Sequence, residues 1–115
     1  MTYTTAAKVR SVFGFSSNDA SDAVIAELIG YVDKEVEHIT GTTWAGTETY
    51  YAIVQEAAAL LVGSLVYKRF RDKQAVSEAL WHEGEAKLRA LVRRPKIRAS
   101  EYEVIGRGSP GSREP

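Results

Sequence analysis

Apolar side chains at Val24, Ile25, Leu28, Ile29, Val32, Val36 and Ile39 recur in steps of three and four, while Asp33, Lys34 and Glu37 point elsewhere. That spacing predicts an amphipathic helix. It should begin near residues 19–22, where Ser21 or Asp19 can cap free backbone N–H groups, and stop at Gly41. A shorter helix is predicted over 5–13, with Ala6, Val9 and Phe13 on one side and Gly14 ending it. After the loop 42–47, a third helix capped by Thr47 or Thr49 should reach Phe70. A fourth should run from about Gln74 to Val92. Its inward face is read as Val76, Leu80, Leu88, Leu91 and Val92, with Glu83/Lys87 and Glu85/Arg89 as i,i+4 pairs. The fold class expected is all-α, a small four-helix domain over 1–94 with an extended C-terminal arm over 95–115.

The third helix breaks the amphipathic pattern. From Ala57 through Tyr67 no charged residue occurs, so no water-facing stripe is marked. A helix apolar all round has to be buried all round. Three shorter helices of one small chain are expected to be too few, so a second copy or another protein should cover the remainder. The same stretch is about half the ~20 apolar residues a membrane span needs, and no membrane role is expected. Glycines interrupt three helices. Gly84 reads as drift on a tolerant surface, whereas Gly30 and Gly63, among apolar neighbours, admit that reading or a close helix crossing.

Composition narrows the chemistry. The 115 residues carry 15 Lys plus Arg and 15 Asp plus Glu, so neither a polycation nor a polyanion is built, and charge matters only locally. With no cysteine, disulfides, thiol catalysis and Cys-held zinc are excluded. The opening Met1-Thr2-Tyr3-Thr4-Thr5 lacks the charged and apolar regions of a secretion signal, and the chain is expected to be the mature one. Pro95 should end helical structure. Beyond it the imperfect alternation Lys96-Ile97-Arg98 and Tyr102-Glu103-Val104-Ile105 admits a short strand without an obvious partner in its own chain, suited to another protein's sheet edge. The polar 106–115 end reads as a flexible tail.

Motifs that would signal catalysis fail on context. Gly106, Gly108 and Gly111 match Gly-x-Gly-x-x-Gly, but Pro110 intervenes and no helix can follow to meet a pyrophosphate. Glu35 and His38 have the Glu-x-x-His spacing of di-iron bundles, yet Ala79 precedes His82 where a second carboxylate would stand. His82-Glu83 meets Ala86 where a zinc protease needs histidine, and Ser64 and Ser109 lack a nucleophile-elbow context. No catalytic residue, cofactor or metal is assigned. The basic run Lys68, Arg69, Arg71 and Lys73 could contact phosphates, or simply complement a helix C-terminus. Tyr50, Tyr51, Tyr67 and Trp81 read as core or interface anchors.

The order of these signals resembles the head-tail connector (adaptor) proteins of long-tailed phages and related viruses. The resemblance lies in Tyr3-Thr4-Thr5 before a short helix, the segment from Asp22 through Ile39 to Thr40-Gly41, Trp44 just after it, and the Ala-rich helix Ala57-Ala58-Ala59-Leu60-Leu61 ending at Tyr67. It covers about residues 1–92. It implies a non-enzymatic helical subunit of the virion neck, assembled in the host cytoplasm into a ring, usually twelvefold. Such a ring sits beneath the capsid portal, receives tail-completion or stopper proteins, and passes DNA without sequence-specific binding. The family's use of C-terminal extensions implies portal docking through Ile97, Tyr102, Val104 and Ile105. Subunit contact is expected at Tyr51, Leu61, Leu65 and Tyr67, and Lys68, Arg69, Arg71 and Lys73 are candidate DNA-facing residues. A small helical nucleic-acid-binding module and a metal-binding bundle through Glu35 and His38 are the competing readings.

Overall fold

A computed structural model describes residues 2–92. They form four helices, α1 (Ala6–Phe13), α2 (Asp22–Thr40), α3 (Tyr51–Phe70) and α4 (Gln74–Val92), with no strand among the described residues. The portal-docking residues Ile97, Tyr102, Val104 and Ile105 lie outside the described residues. No helix there is long and apolar enough to cross a membrane.

Local chemistry sets most boundaries. Thr5 caps α1 by accepting the Lys8 N–H, and Ser21 caps α2 by accepting the Val24 N–H. Gly14 and Gly41 end those helices in the left-handed conformation, at φ 73° and 72°. The start of α3 differs from expectation. Neither Thr47 nor Thr49 occupies the cap position; Tyr50 does, and its side chain makes no capping hydrogen bond. The loop before it is organised by Glu48, whose carboxylate accepts the Ala45 and Gly46 N–H groups at 2.7 and 2.9 Å. Those donors, Ala45 first, hold its carboxyl below the usual range. Between α3 and α4 the chain reverses through Asp72, left-handed at φ 50°, while Tyr67 C=O accepts the N–H groups of Arg71 and Lys73.

α3 is the centre of the molecule and packs against all three other helices. Its own chain covers more of it than expected, though not all of it. Ala57, Ala58, Ala59, Leu61, Val62, Gly63, Ser64 and Val66 are all buried within the subunit, leaving only Leu60, Leu65 and Tyr67 partly open. The physical reason is girth. Five of those eight residues are Ala, Gly or Ser, so neighbouring helices approach closely and few are needed to close the circle.

Two glycines mark these approaches. A Cβ at Gly63 would overlap the Phe13 ring of α1. At Gly84 a Cβ would lie 2.8 Å from Leu61 Cδ2 and 3.1 Å from the Ala57 carbonyl, so the α3–α4 crossing depends on Gly84, which is buried and not surface drift. Gly30 is exposed with nothing within 4 Å of such an atom, and makes no crossing. Nearby, Ser64 Oγ donates to the Ser77 carbonyl at 2.7 Å and lies 3.0 Å from Ser77 Oγ, joining α3 to α4 inside the core. The inward face of α4 is thus Ser77, Gly84, Leu88 and Leu91, flanked by Leu80 and Trp81, whereas Val76 points to solvent.

The segment before α1 is fastened to α2. Tyr3 is buried; its N–H donates to Asp33 at 3.0 Å and its hydroxyl to Glu37 at 2.6 Å, while that hydroxyl accepts the Trp44 N–H at 3.1 Å. Trp44 Nε1 donates in turn to Thr40 Oγ1, which itself donates to the Val36 carbonyl. Asp33 and Glu37, which lie off the apolar stripe of α2, receive the N-terminal segment. Burial pushes the Asp33 carboxyl upward against the opposing effect of the Tyr3 N–H.

Candidate functional site

α3 shows two flanks where its neighbours leave it half covered. On the first, α2 contributes Leu28 and Tyr31, α3 contributes Leu65, Lys68 and Arg69, and α4 contributes Trp81. Two adjoining hollows of ≈ 440 and ≈ 290 Å³ share Tyr31 and Leu65 there. Tyr31 is 52% exposed, the largest value among the exposed large apolar side chains. The rim is electrically balanced, with Glu27 and Glu78 beside Lys68 and Arg69. Gln74 donates to the Glu78 carboxylate at 2.9 Å. On the second flank, between α1 and α4, Leu60 and the exposed Val12 line a smaller hollow of ≈ 240 Å³ with Lys8, Glu83 and Lys87 on its edge. The two flanks differ in shape and residue type. One is aromatic and broad, the other aliphatic and narrow.

This geometry redistributes the residues expected at a subunit contact. Leu65 lines the broad cleft. Leu61 does not, because it is fully buried against Gly84 and offers no surface to a neighbour. Tyr51 and Tyr67 are half-buried and engaged at home. Tyr51 meets Tyr3 edge-on with ring centroids 6.3 Å apart, and Tyr67 meets Phe13 and Phe15 at 6.0 and 5.2 Å. Tyr31 was missed because it falls off the apolar stripe of α2; an aromatic among polar helix positions, beside Gly30, is the signal that could have found it.

The basic run is divided in the same way. Lys68 and Arg69 stand exposed at the cleft edge. Arg71 instead pairs with Asp19 at 2.8 Å, tying the end of α3 to the loop before α2. Asp19 also accepts the Ser16 N–H, and this bond, with Arg71 adding to it, keeps its carboxyl low. Arg71 is therefore a brace between elements. Lys73 is exposed at the turn into α4. Arg10 braces the other side of the same loop, donating to the Ala20 carbonyl at 2.8 Å and pairing with Asp22 at 2.7 Å.

Of the expected helix-surface pairs, Glu85–Arg89 forms at 3.3 Å, but Lys87 reaches across to Glu56 on α3 at 3.3 Å instead of Glu83. His38 and His82 are exposed and Glu35 is half-exposed. Among the described residues no group of three or more His, Cys, Asp or Glu side chains is gathered as a metal would require. The two flanks of α3 offer contact area, aromatic on one and aliphatic on the other. No family model, curated protein or solved structure matches the chain.

Proposed function

We propose that the chain is a structural subunit of a viral head-to-tail connector, forming a homo-oligomeric ring in the virion neck between the capsid portal and the tail-completion or stopper proteins. The observation that carries this reading is the pair of unlike clefts on either flank of α3. A closed ring needs a heterologous contact, in which one patch of each subunit meets a different patch of the next. Tyr31, Leu65 and Trp81 are the candidate receiving surface, and Val12 with Leu60 the candidate opposing one. The order of sequence signals adds support, since Tyr3 and Trp44, both part of the connector resemblance, meet in one hydrogen-bonded cluster. In this reading the subunit carries out no reaction and binds no cofactor. Ile97, Tyr102, Val104 and Ile105 of the arm dock onto the portal, and Lys68, Arg69 and Lys73 supply weak, sequence-independent contact with passing DNA.

Negative-stain microscopy of the purified protein, alone and mixed with a capsid portal assembly, tests the proposal. Ring-shaped density seated on the portal is expected with the full chain and not after deletion of residues 95–115. Equal capture of both forms would refute the arm's role, and absence of any ring on the portal would refute the connector. A nucleic-acid-binding module would show instead as a gel shift whose affinity falls steeply with salt.

A further inference from the structure

The start of α1 borders a polar hollow that the connector reading does not use. Thr4, Thr5 and Lys8 line it from one side and Gln55 and Glu56 of α3 from the other, around ≈ 350 Å³. We propose that this hollow binds a small oxyanion of the phosphate class, held by the Thr4 and Thr5 hydroxyls, the Lys8 ammonium and the Gln55 carboxamide.

The observation that points to a ligand is Thr4. It is 5% exposed, and its Oγ1 is buried without a hydrogen-bond partner among the described residues. The other buried hydroxyls are all engaged. Thr40 donates to the Val36 carbonyl, Ser64 donates to the Ser77 carbonyl, and the Ser64 and Ser77 hydroxyls lie 3.0 Å apart. Burying a hydroxyl unpaired costs stability, and a group that arrives from outside the chain accounts for its retention.

Charge and donors select an anion. Thr5 Oγ1 accepts the Lys8 N–H at 3.1 Å, which leaves its own O–H to donate. Lys8 is exposed and joins none of the ion pairs among the described residues. The first turn of α1 holds no acidic side chain, so the positive end of that helix adds to the charge of Lys8. Glu56 is the one acidic residue lining the hollow, and its pairing with Lys87 at 3.3 Å offsets its charge. Hydrogen bonds from a charged donor to an oxyanion are stronger than those to a neutral group, which favours an anion over a neutral ligand here. A free phosphate ion and a nucleic-acid backbone offer the same oxygens, and the test separates them. None of this rests on the connector reading.

Inorganic phosphate is titrated into the full, isotope-enriched chain, with chloride at matched ionic strength as the control. Saturating shifts of the Thr5 and Lys8 amides and of the Gln55 side-chain amide are expected with phosphate and not with chloride. Lys8→Gln, at an exposed position, should weaken binding about tenfold, as for loss of one charge-assisted hydrogen bond. Thr4→Val has nearly the same shape. It should raise the melting temperature in chloride by removing the unpaired hydroxyl, and should abolish the further rise that phosphate gives the parent chain. Shifts in phosphate that merely follow those in chloride would overturn the proposal. So would undiminished phosphate binding by Thr4→Val, because water would then be the partner of that hydroxyl. The same shifts with a short DNA duplex would identify a backbone phosphate as the source, and their absence with DNA would identify the free ion. Ring formation on a portal enters none of these signals, so the two readings fail separately.

Discussion

At the scale of single residues, the three helical glycines are chemically identical and physically opposite. Gly30 has open space around it in a helix, so Gly30→Ala removes backbone freedom from the unfolded chain and should raise stability by about 0.5–1 kcal/mol. Gly63→Ala has the same propensity gain available but drives a methyl into the Phe13 ring. That ring is stacked on Phe15 at 5.3 Å and edge-on to Tyr67, so it cannot simply swing away. A net loss of about 1–3 kcal/mol is expected for Gly63→Ala, as for other overpacked cores. Thermal melts of the two variants should move in opposite directions; a rise for both would show that α1 does not press on α3 as described. Sequence alone could not separate these glycines, since the spacing of apolar neighbours is similar at both and only the three-dimensional approach of Phe13 decides.

At the scale of elements, the N-terminal segment is held to α2 through one residue, Tyr3, by its backbone N–H and its hydroxyl. Tyr3→Phe keeps the ring in its place but leaves the Trp44 N–H and the Glu37 carboxylate without their shared partner, and a cost of about 1–3 kcal/mol is expected in urea unfolding. The same group predicts a pH dependence. Burial, with Glu37 adding to it, pushes the Tyr3 hydroxyl from its ordinary 10.0 up to about 12. Above pH 10 the unfolded chain gives up this proton while the folded chain retains it. Stability is therefore full below pH 10 and lost as pH rises toward 12. Burial raises Tyr51 in the same direction. Alkaline unfolding of Tyr3→Phe should show a shallower decline over this window; an identical slope would mean Tyr3 does not titrate as a buried group.

The elements themselves were largely legible. The ends of α1 and α2 follow from Thr5, Gly14, Ser21 and Gly41, residues whose hydrogen-bonding and backbone preferences act locally. The span of α4 was legible for the same local reason, but its rotation was not. Val76 outweighed Ser77 on hydrophobicity, yet Ser77 faces inward because Ser64 supplies its partner from another helix. Lys87 was misplaced, and the partners of Asp33 and Glu37 went unread, for a related reason: each is bound to a residue distant in sequence, to Tyr3 or Glu56. Periodicity reports which side of a helix is apolar and is silent about polar groups that find partners across the fold.

At the scale of the whole molecule, the enclosure of α3 changes where association has to occur. An uncharged rod that its own chain could not hide would have made assembly a condition of folding. With most of that rod enclosed and only Leu60, Leu65 and Tyr67 partly open, folding and assembly separate, and different side chains govern each. Leu61→Ala should leave a cavity in the fully buried core and cost ~2–5 kcal/mol without touching the outer surface. Tyr31→Arg places a charge on a side chain already 52% exposed, and its effect on stability should stay within about 0.5 kcal/mol. Its effect on ring formation should be large, because a neighbour seated on the Leu65 cleft would lose the aromatic contact of Tyr31 and would have to desolvate a guanidinium, which pairing with Glu27 offsets only in part. The paired measurement is thermal unfolding together with sedimentation velocity in the presence of the portal. Loss of rings in Tyr31→Arg at unchanged melting temperature is the expected outcome. Rings that persist with Tyr31→Arg would place the subunit contact away from the α2–α4 cleft, and the narrow Val12–Leu60 flank would then lack the partner surface assigned to it.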